Sequence, residues 1–229
     1  MTKKDYDEIF NRLLELFPNP DTELNFETPF QLLIAVMLSA QTTDKQVNVV
    51  TDKLFLKVKE PNDVLKMTEE KLAKQVSSVN YYKMKTKHIK KSAERLVELA
   101  NDKNAKLTKN EKECLNNYGY YLPESLEWLI KLPWVWEKTA KVILYVWYKH
   151  DLIAVDTHVH RVANRLWIIK TDEPIKTSKE IEKVVPKKWK RIAHHSLILF
   201  GRYYCTAKRP KCENCVLKKW CKNPDKKYC

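Results

Sequence analysis

Apolar positions in this chain recur at helical spacing rather than in alternation. From Asp5 to Phe17, Ile9, Phe10, Leu13, Leu14 and Phe17 share one face, with acids opposite, and predict an amphipathic helix. Thr28-Pro29 reads as an N-cap followed by proline at the first helical position, opening a wholly apolar helix over Phe30 to Ser39. Asp44 is placed as the cap of a helix through Val47, Val50, Leu54 and Phe55, and Thr68 precedes a short one over Glu69 to Val79. Met84 to Leu99 carries Ile89, Ala93, Leu96 and Leu99 at helical intervals. Thr177 with Glu180 fits a capping box before Ile181 to Val185, and His194 to Tyr204 is a further apolar helix. Val142 to Tyr148 is β-branched enough for a strand but continues Glu137–Lys141 without a break, and is read as helix. Asn101 to Tyr121 is polar and patternless and is expected to be an exposed loop with at most a helical turn. The fold class is all-α.

The chain has 229 residues, enough to bury one large core or two modest ones. Its longest apolar run, Leu32 to Leu38, is far too short for a bilayer. Met1-Thr-Lys-Lys-Asp lacks the apolar stretch of a secretory signal. The expectation is a cytoplasmic, reducing setting. The net charge is +14, from 43 Lys+Arg against 29 Asp+Glu. This favours a polyanionic partner, nucleic acid before a membrane surface, although a generally lysine-rich proteome would give the same balance.

Four of the six cysteines, Cys205, Cys212, Cys215 and Cys221, are spaced C-x6-C-x2-C-x5-C. In a reducing compartment four clustered thiols suggest a metal centre before disulfides. Spacing leaves one [4Fe-4S] cluster and one Zn2+ both open. Lys208, Arg209 and Lys211 lie between the ligands, and from Arg202 onward nine Lys/Arg face two acids. Cys114, in the polar stretch, and Cys229, the last residue, stand outside the pattern.

Two further segments sharpen the reading: Leu132-Pro-Trp-Val-Trp-Glu-Lys138-Thr-Ala and Ile153-Ala-Val-Asp156-Thr-His158. Together with Leu32–Asp44 (LLIAVMLSAQTTD) and the cysteine pattern, they form four blocks that resemble, in the same order, the endonuclease III family of base-excision DNA glycosylases with AP-lyase activity. The resemblance runs from about Asp5 to Cys221. It implies two helical lobes: residues 23–150 as a six-helix lobe with a helix-hairpin-helix motif, and residues 1–22 with 151–229 as a cluster-bearing lobe. A [4Fe-4S] cluster on the four cysteines is implied in preference to zinc. So are Lys138 as a nucleophile that forms a Schiff base with the sugar and Asp156 as the carboxylate that stabilises positive charge, the two facing each other at a cleft. Gln41 and Tyr81 are implied as the residues that fill the gap left by an extruded base, and Asp44 and His158 as pocket residues. Pro133, Trp134, Val135 and Trp136 would meet a DNA phosphate, and Lys208, Arg209 and Lys211 the backbone. The implied partner is double-stranded DNA carrying a damaged base or an abasic site, bound by a monomer, and the implied substrates are oxidised pyrimidines.

The chain departs from this pattern in its glycines. Only Gly119 and Gly201 occur, where ordinary usage of roughly 7% gives about sixteen, against seven tryptophans. The two hairpin positions that are glycine in the family are Trp134 and Trp136 here, Trp167 stands at a third, and Trp147 at a small residue. Asn80 also replaces a preferred glycine. Some bacterial lineages read UGA as glycine and others as tryptophan, so these four tryptophans are expected to be glycine in the living cell. Two rivals remain: a monofunctional mismatch glycosylase of the same fold, and, if Trp134 and Trp136 are real, a non-catalytic DNA-binding iron–sulfur protein.

Overall fold

The computed structural model describes residues 1–223, and Cys229 lies outside the described residues. Among these residues there is no strand, in agreement with the all-α reading, and no helix is long and apolar enough to cross a membrane. The chain divides into two compact units, one from Met1–Thr22 with the chain from Lys149 onward, the other Glu23–Tyr148.

The second unit is built around α2 (Pro29–Ser39), in which every residue from Pro29 to Leu38 is buried. A helix apolar on all sides has no solvent face to offer, so it becomes the centre of its unit. Its start is a capping box. The Thr28 hydroxyl accepts from the Gln31 N–H at 3.2 Å, and the Gln31 carboxamide oxygen accepts from the Thr28 N–H at 3.3 Å. The amide end of the buried Gln31 donates to Val58 O at 2.8 Å, so both ends of its carboxamide are satisfied in the core. Around α2 pack α3 (Asp44–Leu54), α6 (Tyr82–Ala100) and α9 (Glu137–Val146). The short helices α4 (Pro61–Leu65) and α5 (Glu69–Gln75) lie against α6, and α8 (Leu126–Leu129) against α9.

The helix α7 (Lys109–Tyr118) corrects the reading of Asn101–Tyr121 as an exposed loop. It buries Glu111 and Cys114 rather than a row of Leu or Val, and a polar buried face leaves no apolar period to detect. Glu111 is the organiser: its carboxylate accepts from the backbone N–H of Thr108 at 2.7 Å and of Glu124 at 2.8 Å. The capping pair Thr108/Glu111 and Gly119, left-handed at φ 74° just past the helix, were the legible signals. Burial pushes the Cys114 thiol up to about 11.

The first unit packs α1 (Lys3–Leu16) and α10 (Thr157–Arg165) against α12 (Lys187–Tyr203), with α11 (Pro174–Val184) on α10. Its core joins Ile9, Phe10 and Leu13 to Val159, Val162, Leu197, Phe200 and Trp220. Gly201 permits the close approach of α12 to α10, since a Cβ there would lie 3.0 Å from His158 Cβ and 3.1 Å from Val162 Cγ2. Two cap assignments are corrected. Thr43, not Asp44, caps α3, its hydroxyl accepting from the Gln46 N–H at 3.3 Å. α11 begins at Pro174, and Thr177 is a fully buried residue inside it, bonded to His160 Nδ1 at 2.7 Å.

Candidate functional site

In the second unit the chain leaves α2 through a tight turn. Thr42 N–H donates to Ser39 O at 3.1 Å, Ala40 has φ −58° and ψ 111°, and Gln41 has φ 57°. These are the angles of a type II β-turn, whose third residue is left-handed and favours glycine. A glutamine held there costs roughly 1–2 kcal/mol. Gln41 is exposed, and Asp44 sits half-buried one residue inside the Thr43 cap. Tyr81 occupies the equivalent place before α6, with φ 58° and 60% of its surface exposed. The two loops are tied directly: Asn80 Nδ2 donates to Gln41 O at 2.5 Å, and Asn80 N–H to Thr42 Oγ1 at 3.3 Å. From α6, the fully buried Lys85 donates to Leu38 O at 2.8 Å, Ala40 O at 2.7 Å and Thr42 Oγ1 at 3.4 Å. Desolvation pulls its ammonium down to about 8.

The hairpin between α8 and α9 repeats the device. Val135 N–H donates to Leu132 O at 3.1 Å, with Pro133 at the second position and Trp134, φ 65°, at the third. Ser92 of α6 donates to Pro133 O at 3.3 Å. The Trp134 ring stacks on His88 with centroids 4.9 Å apart. Val135 is buried and Trp136 is 70% exposed in extended backbone (φ −91°, ψ 169°) at the N-cap of α9. Lys138 follows as the second residue of α9, its side chain in solvent.

In the first unit Asp156 is the N-cap of α10, and its Oδ1 accepts from the Val159 N–H at 2.8 Å. This bond orients the carboxylate at the helix start, where the macrodipole favours negative charge. His158 is half-buried with Nδ1 3.2 Å from the Arg161 guanidinium. The far end of α10 grips the cysteine loop. Arg161 donates to Cys205 O at 3.0 Å and Gly201 O at 2.7 Å, and Arg165 to Cys205 Sγ at 3.3 Å and Thr206 O at 2.8 Å. Cys205, Cys212, Cys215 and Cys221 all line one small cavity, walled by Leu166, Phe200, Tyr204 and Pro210. Among the described residues no three His, Cys, Asp or Glu side chains gather on a single-ion site. Four thiols around one shared space, with an arginine on the Cys205 sulfur, form a donor set suited to an anionic iron–sulfur group. Lys208, Arg209 and Lys211 are exposed on the loop between the first two cysteines.

α10 ends in a Schellman motif. Ile168 N–H donates to Ala163 O at 2.9 Å and Trp167 N–H to Asn164 O at 3.1 Å, with Trp167 left-handed at φ 55°. Glycine is the usual residue at that position. Backbone geometry therefore singles out Trp134 and Trp167 among the four unusual tryptophans. Trp136 and Trp147 (φ −84°, ψ −54°) adopt angles open to any residue.

Lys85, Ser92, Arg161 and Arg165 were not singled out by sequence, and Asn80 only as a departure from glycine. Lys85 had a signal: it continues the buried stripe Ile89, Ser92, Leu96 of α6, an unusual place for a charge.

Residues 34–187 match the model of the HhH-GPD superfamily base excision DNA repair protein, and residues 205–221 that of the iron-sulfur binding domain of endonuclease III. The chain is 39% identical over 218 residues to endonuclease III of Rickettsia conorii, covering 93% of this chain and 95% of that one. It is 36% identical over 225 residues to endonuclease III of Bacillus subtilis, covering 98% and 94%. The fold superposes, with a TM-score of 0.81, on a trapped endonuclease III–DNA covalent intermediate that is 35% identical, covering 97% of this chain and 96% of that one. With a matching family model over two thirds of its length, an iron–sulfur segment in place and relatives along nearly all of it, the chain belongs to the endonuclease III family of base-excision DNA repair enzymes, DNA glycosylases with AP-lyase activity.

Proposed function

We propose that this chain excises oxidised pyrimidines from double-stranded DNA through a Schiff base at Lys138 and then cleaves the strand by β-elimination. The reading is carried by Lys138, a solvent-exposed amine in the first turn of the helix that follows the hairpin, in a chain of this family. The neutral amine attacks C1′ of the damaged nucleotide. The C1′–N bond breaks, and its electron pair leaves with the base, which takes up a proton. The sugar ring opens to a protonated imine on Lys138. Loss of a C2′ proton then expels the 3′ phosphate by cleavage of the C3′–O bond, and water releases the enzyme. Asp156, oriented by its cap hydrogen bond, stabilises the positive charge that grows at C1′ as the base departs. Asp44 and His158 are assigned as pocket residues on the family resemblance, and Gln41 and Tyr81 enter the stack in place of the extruded base.

Cys205, Cys212, Cys215 and Cys221 would hold a [4Fe-4S] cluster. The cavity that all four share and the match of residues 205–221 to the iron-sulfur binding domain of endonuclease III support a cluster over zinc. When bound, the cluster would anchor the basic loop, from which Lys208, Arg209 and Lys211 reach the phosphate backbone. The protein acts as a cytoplasmic monomer. In its own cell Trp134 and Trp167 are translated as glycine, as the left-handed backbone at both supports. Glycine at Trp136 and Trp147 rests on family resemblance alone.

The test is borohydride trapping on abasic duplex DNA. The chain should form a covalent adduct and Lys138→Ala none; normal trapping by Lys138→Ala refutes the assignment.

A further inference from the structure

We propose that Lys85 is a positioning residue for base extrusion, its buried ammonium holding the Ala40–Gln41 peptide in the flipped orientation that aims Gln41 outward. The inference rests on the reading of Gln41 as a residue that enters the DNA stack. Type I and type II turns differ by rotation of their central peptide. In the type II turn Ser39–Thr42, Ala40 O points back at α6 and meets Lys85 Nζ at 2.7 Å. In a type I turn that carbonyl would point away, and Gln41 would fall to the ordinary negative-φ region, redirecting its side chain. Without a tether the left-handed form is the minor one for a non-glycine residue.

The ammonium is matched to its task. Its three N–H groups find three acceptors, Leu38 O, Ala40 O and Thr42 Oγ1, all on the turn or the end of α2 that feeds it. Two of these are carbonyls at a helix C-terminus, where positive charge is favoured. Asn80 adds a second tether from the neighbouring loop through Gln41 O, the carbonyl of the next peptide, so that both peptides flanking Gln41 are held and the turn is tied to the Tyr81 loop. Two turns on from Lys85, Ser92 holds the corresponding carbonyl of the hairpin turn, Pro133 O. One face of α6 thus sets the flipped peptide of both turns.

The experiment is a double-mutant cycle on full-length, cluster-loaded protein, read as the single-turnover rate of excision from a duplex with a paired oxidised pyrimidine. A companion duplex carries 2-aminopurine opposite the lesion, to report unstacking. Lys85→Met should lose about tenfold in rate and in the fluorescence rise, as the competent turn becomes a minor population. In the Gln41→Ala background it should cost nothing further, because the residue it positions is gone. Asn80→Ala, which removes an exposed tether and no buried charge, should lose several-fold with the same non-additivity, and it decides the matter if Lys85→Met does not fold. A Gln41→Ala protein at full rate refutes the assignment of Gln41 itself. If Gln41→Ala is impaired while folded Lys85→Met, or failing that Asn80→Ala, keeps full rate or adds its loss in full, the positioning role alone is overturned.

Discussion

Replacing an exposed tryptophan by glycine ordinarily weakens a protein, yet at position 167 glycine should exceed alanine in stability. Trp167 ends α10 in the left-handed slot of a Schellman motif, with φ 55°. A Cβ in that conformation costs roughly 1–2 kcal/mol, while glycine gives back about 0.4–1 kcal/mol through the greater freedom of its unfolded chain. The difference places Trp167→Gly above Trp167→Ala by about 1 kcal/mol, equivalent to roughly 2–4 °C in melting temperature for a chain of this size. The indole contributes little, being 55% exposed with Lys170 Nζ 5.8 Å from its centroid, an interaction worth about 0.5 kcal/mol at an exposed site. The parent chain should therefore fall between the two variants or level with the glycine one. Urea unfolding followed by circular dichroism measures the order. An alanine variant as stable as the glycine variant, with equal m-values, refutes the argument that the backbone here demands glycine. The same reasoning carries to the native gene product: its mass should show glycine at 134 and 167, and the gene should have UGA at both codons.

Gly201→Ala should destabilise by about 1–3 kcal/mol, because the new methyl meets His158 Cβ at 3.0 Å with a helix backbone on either side; a thermal melt unchanged within error would contradict this. Cys114 should resist iodoacetamide in the native protein at pH 8 and react on denaturation, since burial holds its thiol near 11 and leaves on the order of one part in a thousand as thiolate; peptide mapping reads it, and native labelling would refute it. Neutralising Lys208, Arg209 and Lys211 together should reduce the slope of log affinity against log salt by about 2–3 on duplex DNA, one unit for each lost phosphate contact, and an unchanged slope would remove this loop from the interface.

α1 and α6 were legible because their apolar residues recur at helical spacing, α2 because it is apolar on every face and opens on Thr28-Pro29, and α12 only in its apolar second half from His194. α7 was not, because its inward face is a carboxylate and a thiol rather than an apolar row, and the carboxylate's distant partner, the backbone of Glu124, reaches it only once the chain has folded back on itself. Thr177 was misplaced for a related reason. Its hydroxyl looked like a cap but bonds to His160 from within a helix that Pro174 had already started.

Chemistry-bearing residue types and their spacing are local properties of the chain. The four cysteines, the hairpin segment with Lys138 and the segment with Asp156 could therefore be read from sequence, and family membership with them. Conformation at a single peptide is not local. That Gln41, Tyr81, Trp134 and Trp167 are all left-handed, and that Lys85 and Ser92 reach across from α6 to the turns before Thr42 and Val135, emerges only from packing. Lys85 Nζ and Ala40 O are 45 residues apart in sequence and 2.7 Å apart in space. Sequence determined which groups this protein brings to its chemistry, because side-chain type and helical period survive in one dimension. Tertiary structure alone decided how the turns that present them are held, because a buried ammonium finds its carbonyls only when α6 has packed against the end of α2.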